Sequence, residues 1–133
     1  MSTRQIFFRP YQRAFREALR TSRGEWRVRE GFLVRVEQAG RVSYGEVAPI
    51  PEFGSESVEA ARAFLESLEA DPLRAVPEDL PCCAFALSCA LSGRTPAKRE
   101  YAVAGLLPAG QGALAVAVEK AARGYGTLKW KVG

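Results

Sequence analysis

Histidine is missing from the 133 residues, and cysteine is scarce. The three cysteines, Cys82, Cys83 and Cys89, crowd one short apolar stretch with no CxxC pair. Neither a zinc site nor a disulfide framework can be drawn from them, and they are expected as reduced core residues. Long hydrophobic runs are absent as well. None reaches the about 18 residues that would suggest a membrane span, and Met1-Ser2-Thr3-Arg4 opens without the apolar stretch of a secretory signal, so a cytoplasmic protein is expected. Carboxylates thin out toward the C-terminus, where Glu119 alone follows Glu100. A hard cation needs several oxygen ligands, and this C-terminal stretch by itself offers too few to hold one.

What is present is ordinary globular composition, 47% hydrophobic and 26% charged, enough to build a core and too apolar for disorder. The net charge of +4 is unevenly placed. Residues 1–29 carry eight arginines against Glu17 and Glu25, while residues 30–133 carry eleven basic and thirteen acidic side chains, which makes the first stretch +6 and the remainder −2. Such a stretch can be solvated, can meet an anionic small molecule or can contact nucleic acid, and charge alone leaves the three readings open. No nucleic-acid module is recognised in it, and its arginines interleave with strand and loop positions.

Residues 4–11 read as a strand, followed by a polar, arginine-rich loop around Thr21-Ser22-Arg23-Gly24. In residues 32–37, Phe32, Val34 and Val36 alternate with Leu33, Arg35 and Glu37, the period of a half-buried strand. Gln38-Ala39-Gly40 turns the chain into a second hairpin arm over residues 41–47, giving about three antiparallel strands. Pro49 and Pro51 end the sheet. After a loop at Phe53-Gly54, Ser55 is placed to cap a helix with Glu56 and Glu59 in its first turn, where carboxylates suit the helix dipole. Val58, Ala61, Leu65 and Leu68 mark its apolar face, and Asp71-Pro72 stops it. A second helix over residues 81–92 opens on Pro81 and is apolar nearly all round, so it is expected to be buried.

After a polar break at residues 93–99 the pattern changes to a strand at 101–107, a helix at 111–123 with Gly124 as its C-cap, and a strand at 127–132. This βαβ unit normally joins parallel neighbours and reads as the start of a parallel sheet or barrel. A closed (β/α)8 barrel takes about 250 residues, so the strands at 101–107 and 127–132 are expected to self-associate, or to be covered by a missing barrel segment. In the last strand Lys129 and Lys131 share one face and Trp130 and Val132 the other. Two ammonium groups side by side in an enclosed site depress each other's pKa and suit proton abstraction from carbon. On an exposed edge the same spacing only discourages unwanted pairing.

Three stretches, in order, resemble the o-succinylbenzoate synthase branch of the enolase superfamily: residues 11–31 (YQRAFREALRTSRGEWRVREG), residues 44–57 (YGEVAPIPEFGSES), and residues 81–91 (PCCAFALSCAL) followed at the expected distance by residues 127–133 (TLKWKVG). The resemblance covers almost the whole chain. It implies an α+β fold: a capping domain over residues 1–98, with a three-stranded antiparallel sheet followed by helices, and then the first βαβ unit of an incomplete (β/α)8 barrel over residues 99–133.

The branch dehydrates 2-succinyl-6-hydroxy-2,4-cyclohexadiene-1-carboxylate to o-succinylbenzoate on the route to menaquinone or phylloquinone, with Mg2+ bound in the complete enzyme. By resemblance, Lys131 is the base and Lys129 orients it and lowers its pKa. Thr21, Ser22, Arg23 and Gly24 of one mobile loop, with Phe53 and Gly54 of another, close over the substrate. The Mg2+ carboxylates and an opposing lysine belong to later barrel strands, so the chain alone is expected to be inactive. It then represents a chain cut after the second barrel strand, one half of a split gene, or a free-standing cap, the first two being favoured. Other paired-lysine members, such as dipeptide epimerases, N-acylamino acid racemases and muconate cycloisomerase-like enzymes, use the same strand. A basic nucleic-acid-binding module is the non-enzymatic alternative.

Overall fold

The computed structural model describes residues 4–93 and 97–130. Packing divides the chain into two compact units, Met1–Thr95 and Pro96–Gly133.

The first unit is built on an antiparallel sheet in the order β1-β2-β3, with β1 at Gln5–Thr21, β2 at Gly24–Gln38 and β3 at Arg41–Val47. The β2–β3 turn is the expected one: Gln38 pairs with Arg41, and Ala39 and Gly40 take the positive φ values of 53° and 72° that a tight two-residue hairpin requires. The first hairpin departs from expectation. Strand β1 does not stop near residue 11; it runs to Thr21 and pairs back onto β2 from Gly24 onward, so the supposed loop is a long two-stranded ribbon with a two-residue tip. The physical reason is that β3 pairs only with residues 32–38 of β2. Beyond Phe32 the ribbon has no third strand among the described residues and is mostly exposed, and without a buried face it shows no alternation in sequence. Between the Ala14–Val28 and Leu19–Trp26 pairs, residues 15–18 oppose Arg27 alone, an irregularity of the kind that bends and twists a ribbon.

Helices α1, Val58–Ala70, and α2, Pro81–Leu91, complete this unit. Phe32, Val34, Val36 and Val47 from the sheet, Ala61, Phe64, Leu65 and Leu68 from α1, and Cys83, Ala86, Leu87 and Ala90 from α2 form one buried cluster. Val58, expected on the buried face, is only partly covered, and Phe64 joins the cluster. The approach of α2 to β3 depends on Gly45, where a Cβ would run into the Ala86 backbone carbonyl. At the other end of the helix, the Ser43 hydroxyl donates to the Ala90 carbonyl and Arg41 donates to Gly93 O at 2.9 Å.

Two expectations about the helices are corrected. Ser57, not Ser55, caps α1, accepting from Ala60 N at 3.1 Å. Helix α2 is not buried all round: Phe85 is 67% exposed and Leu91 and Cys89 also face outward, so of the three free cysteines only Cys83 belongs to the core and Cys82 is half-buried. Mean apolarity over a window says nothing about how much of a helix surface the rest of the fold reaches.

In the second unit, β4 at Gly105–Leu107 and β5 at Leu128–Trp130 are parallel and joined through α3 at Gly112–Ala122. The βαβ unit is therefore present, with a shorter first strand than the expected 101–107, because residues 101–104 have no pairing partner among the described residues. Gly124, with φ 88°, follows the C-cap Arg123. No helix among the described residues is long and apolar enough to cross a membrane.

Candidate functional site

Thr21, Ser22, Arg23 and Gly24 form the tip of the first hairpin. Gly24 takes φ 132°, and Thr21 knits the turn: its hydroxyl donates to Gly24 O at 3.0 Å and accepts from Arg23 N at 3.1 Å. The second loop, residues 48–57, contains a single 3₁₀ turn, Pro51–Phe53, closed by Gly54 in the left-handed conformation. Phe53 N donates to Ile50 O and Gly54 N to Pro51 O, both at 2.9 Å. Phe53 is 54% exposed, so it is not a core residue.

About thirty residues apart in sequence, the two loops touch. Arg23 donates to Glu52 O at 3.2 Å and lays its guanidinium over the Phe53 ring, 5.7 Å from the centroid. Trp26 meets the same ring edge-on, with centroids 5.6 Å apart. Lower down, the Arg29 guanidinium forks onto two consecutive carbonyls of the second loop, donating to Pro49 O at 2.6 Å and to Ala48 O. Arginines of the basic N-terminal stretch thus serve structure: Arg20 and Arg27 pair with Glu25, and Arg23 and Arg29 tie the loops.

The far foot of the second loop is fixed from inside. Ser55 Oγ accepts from Ile50 N at 2.6 Å. Glu56, only 6% exposed, turns back to cap α2, its carboxylate accepting from Cys82 N at 3.1 Å and Cys83 N at 2.8 Å. Leu80 at the N-cap makes no side-chain bond and Pro81 has no N–H, so Glu56 does the capping from 26 residues away in the chain. Burial by itself would raise its pKa, but the backbone N–H groups of Cys82 and Cys83 bond the carboxylate and bring it below the ordinary value. Burial, reinforced by the Glu56 charge, pushes the Cys83 thiol up to about 12, and burial raises Cys82 as well. Neither thiol is activated as a nucleophile.

Between this loop and α2 lies a mainly apolar cleft of about 410 Å³, lined by Glu46, Ala48, Phe53, Gly54, Ser55, Pro81, Cys82 and Phe85. Glu46, one of the lining residues, accepts from the Tyr11 hydroxyl at 2.5 Å across Gly31, where a side chain would collide with the Tyr11 ring. Burial and the Glu46 carboxylate raise the Tyr11 pKa to about 12, so the phenol stays a donor.

Of the residues singled out in sequence, the structure brings together the hairpin tip and Phe53-Gly54. Lys129 is exposed on β5 in the second unit, and Lys131 lies outside the described residues. The sequence reading missed Trp26, Arg29, Cys82 and Phe85. Trp26, one of only two tryptophans, offered a signal that was there to be used, but nothing distinguishes Arg29 among the eight arginines of residues 1–29.

Three antiparallel strands with helices packed on them and two loops that touch in the first unit, with a parallel βαβ unit in the second, define the α+β capping domain of the enolase superfamily with the opening of its barrel. Residues 4–93 match the family model described as MenC, N-terminal domain, and the chain belongs to that family. It is 37% identical to the o-succinylbenzoate synthase of Thermosynechococcus vestitus over 134 residues, covering 95% of this chain and 42% of that protein, and 41% identical to that of Photorhabdus laumondii over 81 residues, covering 56% of this chain and 25% of that protein. The chain thus spans less than half the length of the curated relatives it matches.

Among solved structures, the o-succinylbenzoate synthase of Thermosynechococcus elongatus BP-1, with magnesium in its active site, superposes with a TM-score of 0.80 at 37% identity, over 96% of this chain and 42% of that one. An enolase family member from Agrobacterium tumefaciens with homology to dipeptide epimerases gives 0.69 at 19% identity, over 98% of this chain and 46% of that one, a likeness of fold alone. Among the described residues of this chain no three His, Cys, Asp or Glu side chains gather as metal ligands, so this part of the site does not fit a magnesium ion.

Proposed function

We propose that this chain is the capping domain and first barrel strands of an o-succinylbenzoate synthase, a cytoplasmic dehydratase of menaquinone or phylloquinone synthesis. The family match over residues 4–93 supports the reading, and the meeting of the Arg23 tip with the Phe53 turn carries it, because two loops joined at one end of a cap form a lip for a substrate beneath. In this reading Lys131 takes the proton from the carbon bearing the ring carboxylate. Hydroxide then leaves the neighbouring carbon and receives that proton from Lys131, giving water and o-succinylbenzoate. Lys129, two residues earlier in the chain, holds the base in place and keeps its pKa low. Thr21, Ser22, Arg23, Gly24, Phe53 and Gly54 cover the succinyl arm. Magnesium belongs to the complete enzyme, held by side chains outside this chain, and the chain alone is inactive. The exposed Leu106, Leu128 and Trp130 of β4 and β5 are covered by the remaining barrel or, in isolation, by a second copy.

The test is dehydration by the complete polypeptide that carries this sequence, assayed with magnesium. Lys131→Ala is expected to lower kcat by about a hundredfold or more, the usual contribution of a positioned base. Absence of dehydration in the parent, or full activity in the variant, would overturn the proposal.

A further inference from the structure

The carbonyls of Ala48 and Pro49 leave the sheet just past its last ladder pair, Phe32–Val47, so among the described residues they have no strand partner. Pro49 and Pro51 supply no N–H, and a segment so poor in donors has little means of holding itself in place. Both carbonyls are instead taken by one side chain. Arg29 stands on β2 within the free ribbon, opposite Arg13, and its planar fork reaches two successive acceptors at once. Ala48 O also lies 3.7 Å from Cys82 Sγ, so the same carbonyl ties the loop to α2. Farther out on the ribbon, Trp26 and Arg23 contact the Phe53 ring. With Ser55 and Glu56 fixing the far foot, the near foot rests on Arg29.

We propose that Arg29 is a positioning residue: its grip on the Ala48 and Pro49 carbonyls fixes the second loop beneath the hairpin tip, so that Arg23, Trp26 and Phe53 form one lip that moves as a unit. This rests on the synthase reading only for its consequence, which is that the lip sets how the substrate is held and does not take part in the proton transfer. Lysine cannot replace Arg29, because an ammonium group offers a point charge and no fork.

The test begins with amide hydrogen exchange on the 133-residue chain. Arg29→Ala is expected to speed exchange at Phe53 and Gly54 by about tenfold or more, since two charge-assisted bonds are lost, while Val34, Val36, Leu65 and Leu68 keep their protection. Arg29→Lys is expected to behave like Arg29→Ala, and it decides by the same comparison if the alanine variant does not fold. Unchanged loop exchange, a rise shared equally by the core amides, or full rescue by lysine would each overturn the proposal. In the complete polypeptide the same variants are expected to raise KM about tenfold with kcat within about twofold, because the binding lost is common to ground and transition states. A kcat loss with KM unchanged would overturn the consequence for substrate. If the parent does not dehydrate, the synthase reading fails, and the exchange comparison still decides the role of Arg29.

Discussion

Removing the Glu56 carboxylate tests the account of how the second loop and α2 are joined. Glu56→Ala deletes the shared acceptor of Cys82 N and Cys83 N and leaves two donors at a helix N-terminus with no side-chain replacement from Leu80. Hydrogen bonds to a charged group contribute about 1.5–3 kcal/mol each, but the two are not additive, and water will reach the vacated space. A lost N-cap alone costs about 1 kcal/mol. The expected loss is therefore about 2–4 kcal/mol, a large share of the about 5–15 kcal/mol typical of a domain. With a urea dependence of about 1–3 kcal/mol per molar, the unfolding midpoint followed by circular dichroism should fall by about 1–2 M.

Glu56→Gln keeps one oxygen acceptor and should lose about half as much. Because the folded-state pKa of Glu56 lies below its ordinary 4.5, its stabilisation is fully present above that pH and disappears as pH falls through the folded-state value. The gap between the parent and Glu56→Gln should close in that acid range. A loss under about 1 kcal/mol for Glu56→Ala, or a gap unchanged by acid, would refute the capping argument.

At Gly45, alanine would place a methyl group against the Ala86 carbonyl, where backbone meets backbone and neither side can turn away. Gly45→Ala should cost about 1–3 kcal/mol in thermal or urea unfolding, whereas Gly112→Ala, with open space at its Cβ, should be neutral or mildly stabilising. The cysteines should react with a thiol reagent in a fixed order: exposed Cys89 first, half-buried Cys82 later, and Cys83, buried with its pKa near 12, only on unfolding. Equal rates at all three would contradict the placement of α2.

Much of this architecture was written in local pattern. The alternation of Phe32, Val34 and Val36 located the central strand because one face of it is buried under the helices. Gly40 located the turn because glycine takes its left-handed backbone without strain, and the strand-helix-strand rhythm after residue 100 located the parallel unit. The two loops that meet were both named from their residues by family likeness.

What the sequence could not decide was every relation that depends on a neighbour far along the chain. The ribbon from residue 12 to 31 is strand without alternation, because among the described residues no third strand gives it an inside. Glu56 reads locally as a first-turn carboxylate of α1, yet the fold turns it to cap α2, since burial offers it two unpaired N–H groups there. Arg29 is one of eight arginines in residues 1–29 until folding brings two carbonyls beyond the end of the sheet within its reach. Periodicity determined which segments became strands and helices; tertiary structure alone decided which polar groups met, because an unpaired buried donor or acceptor is costly wherever in the sequence its partner stands.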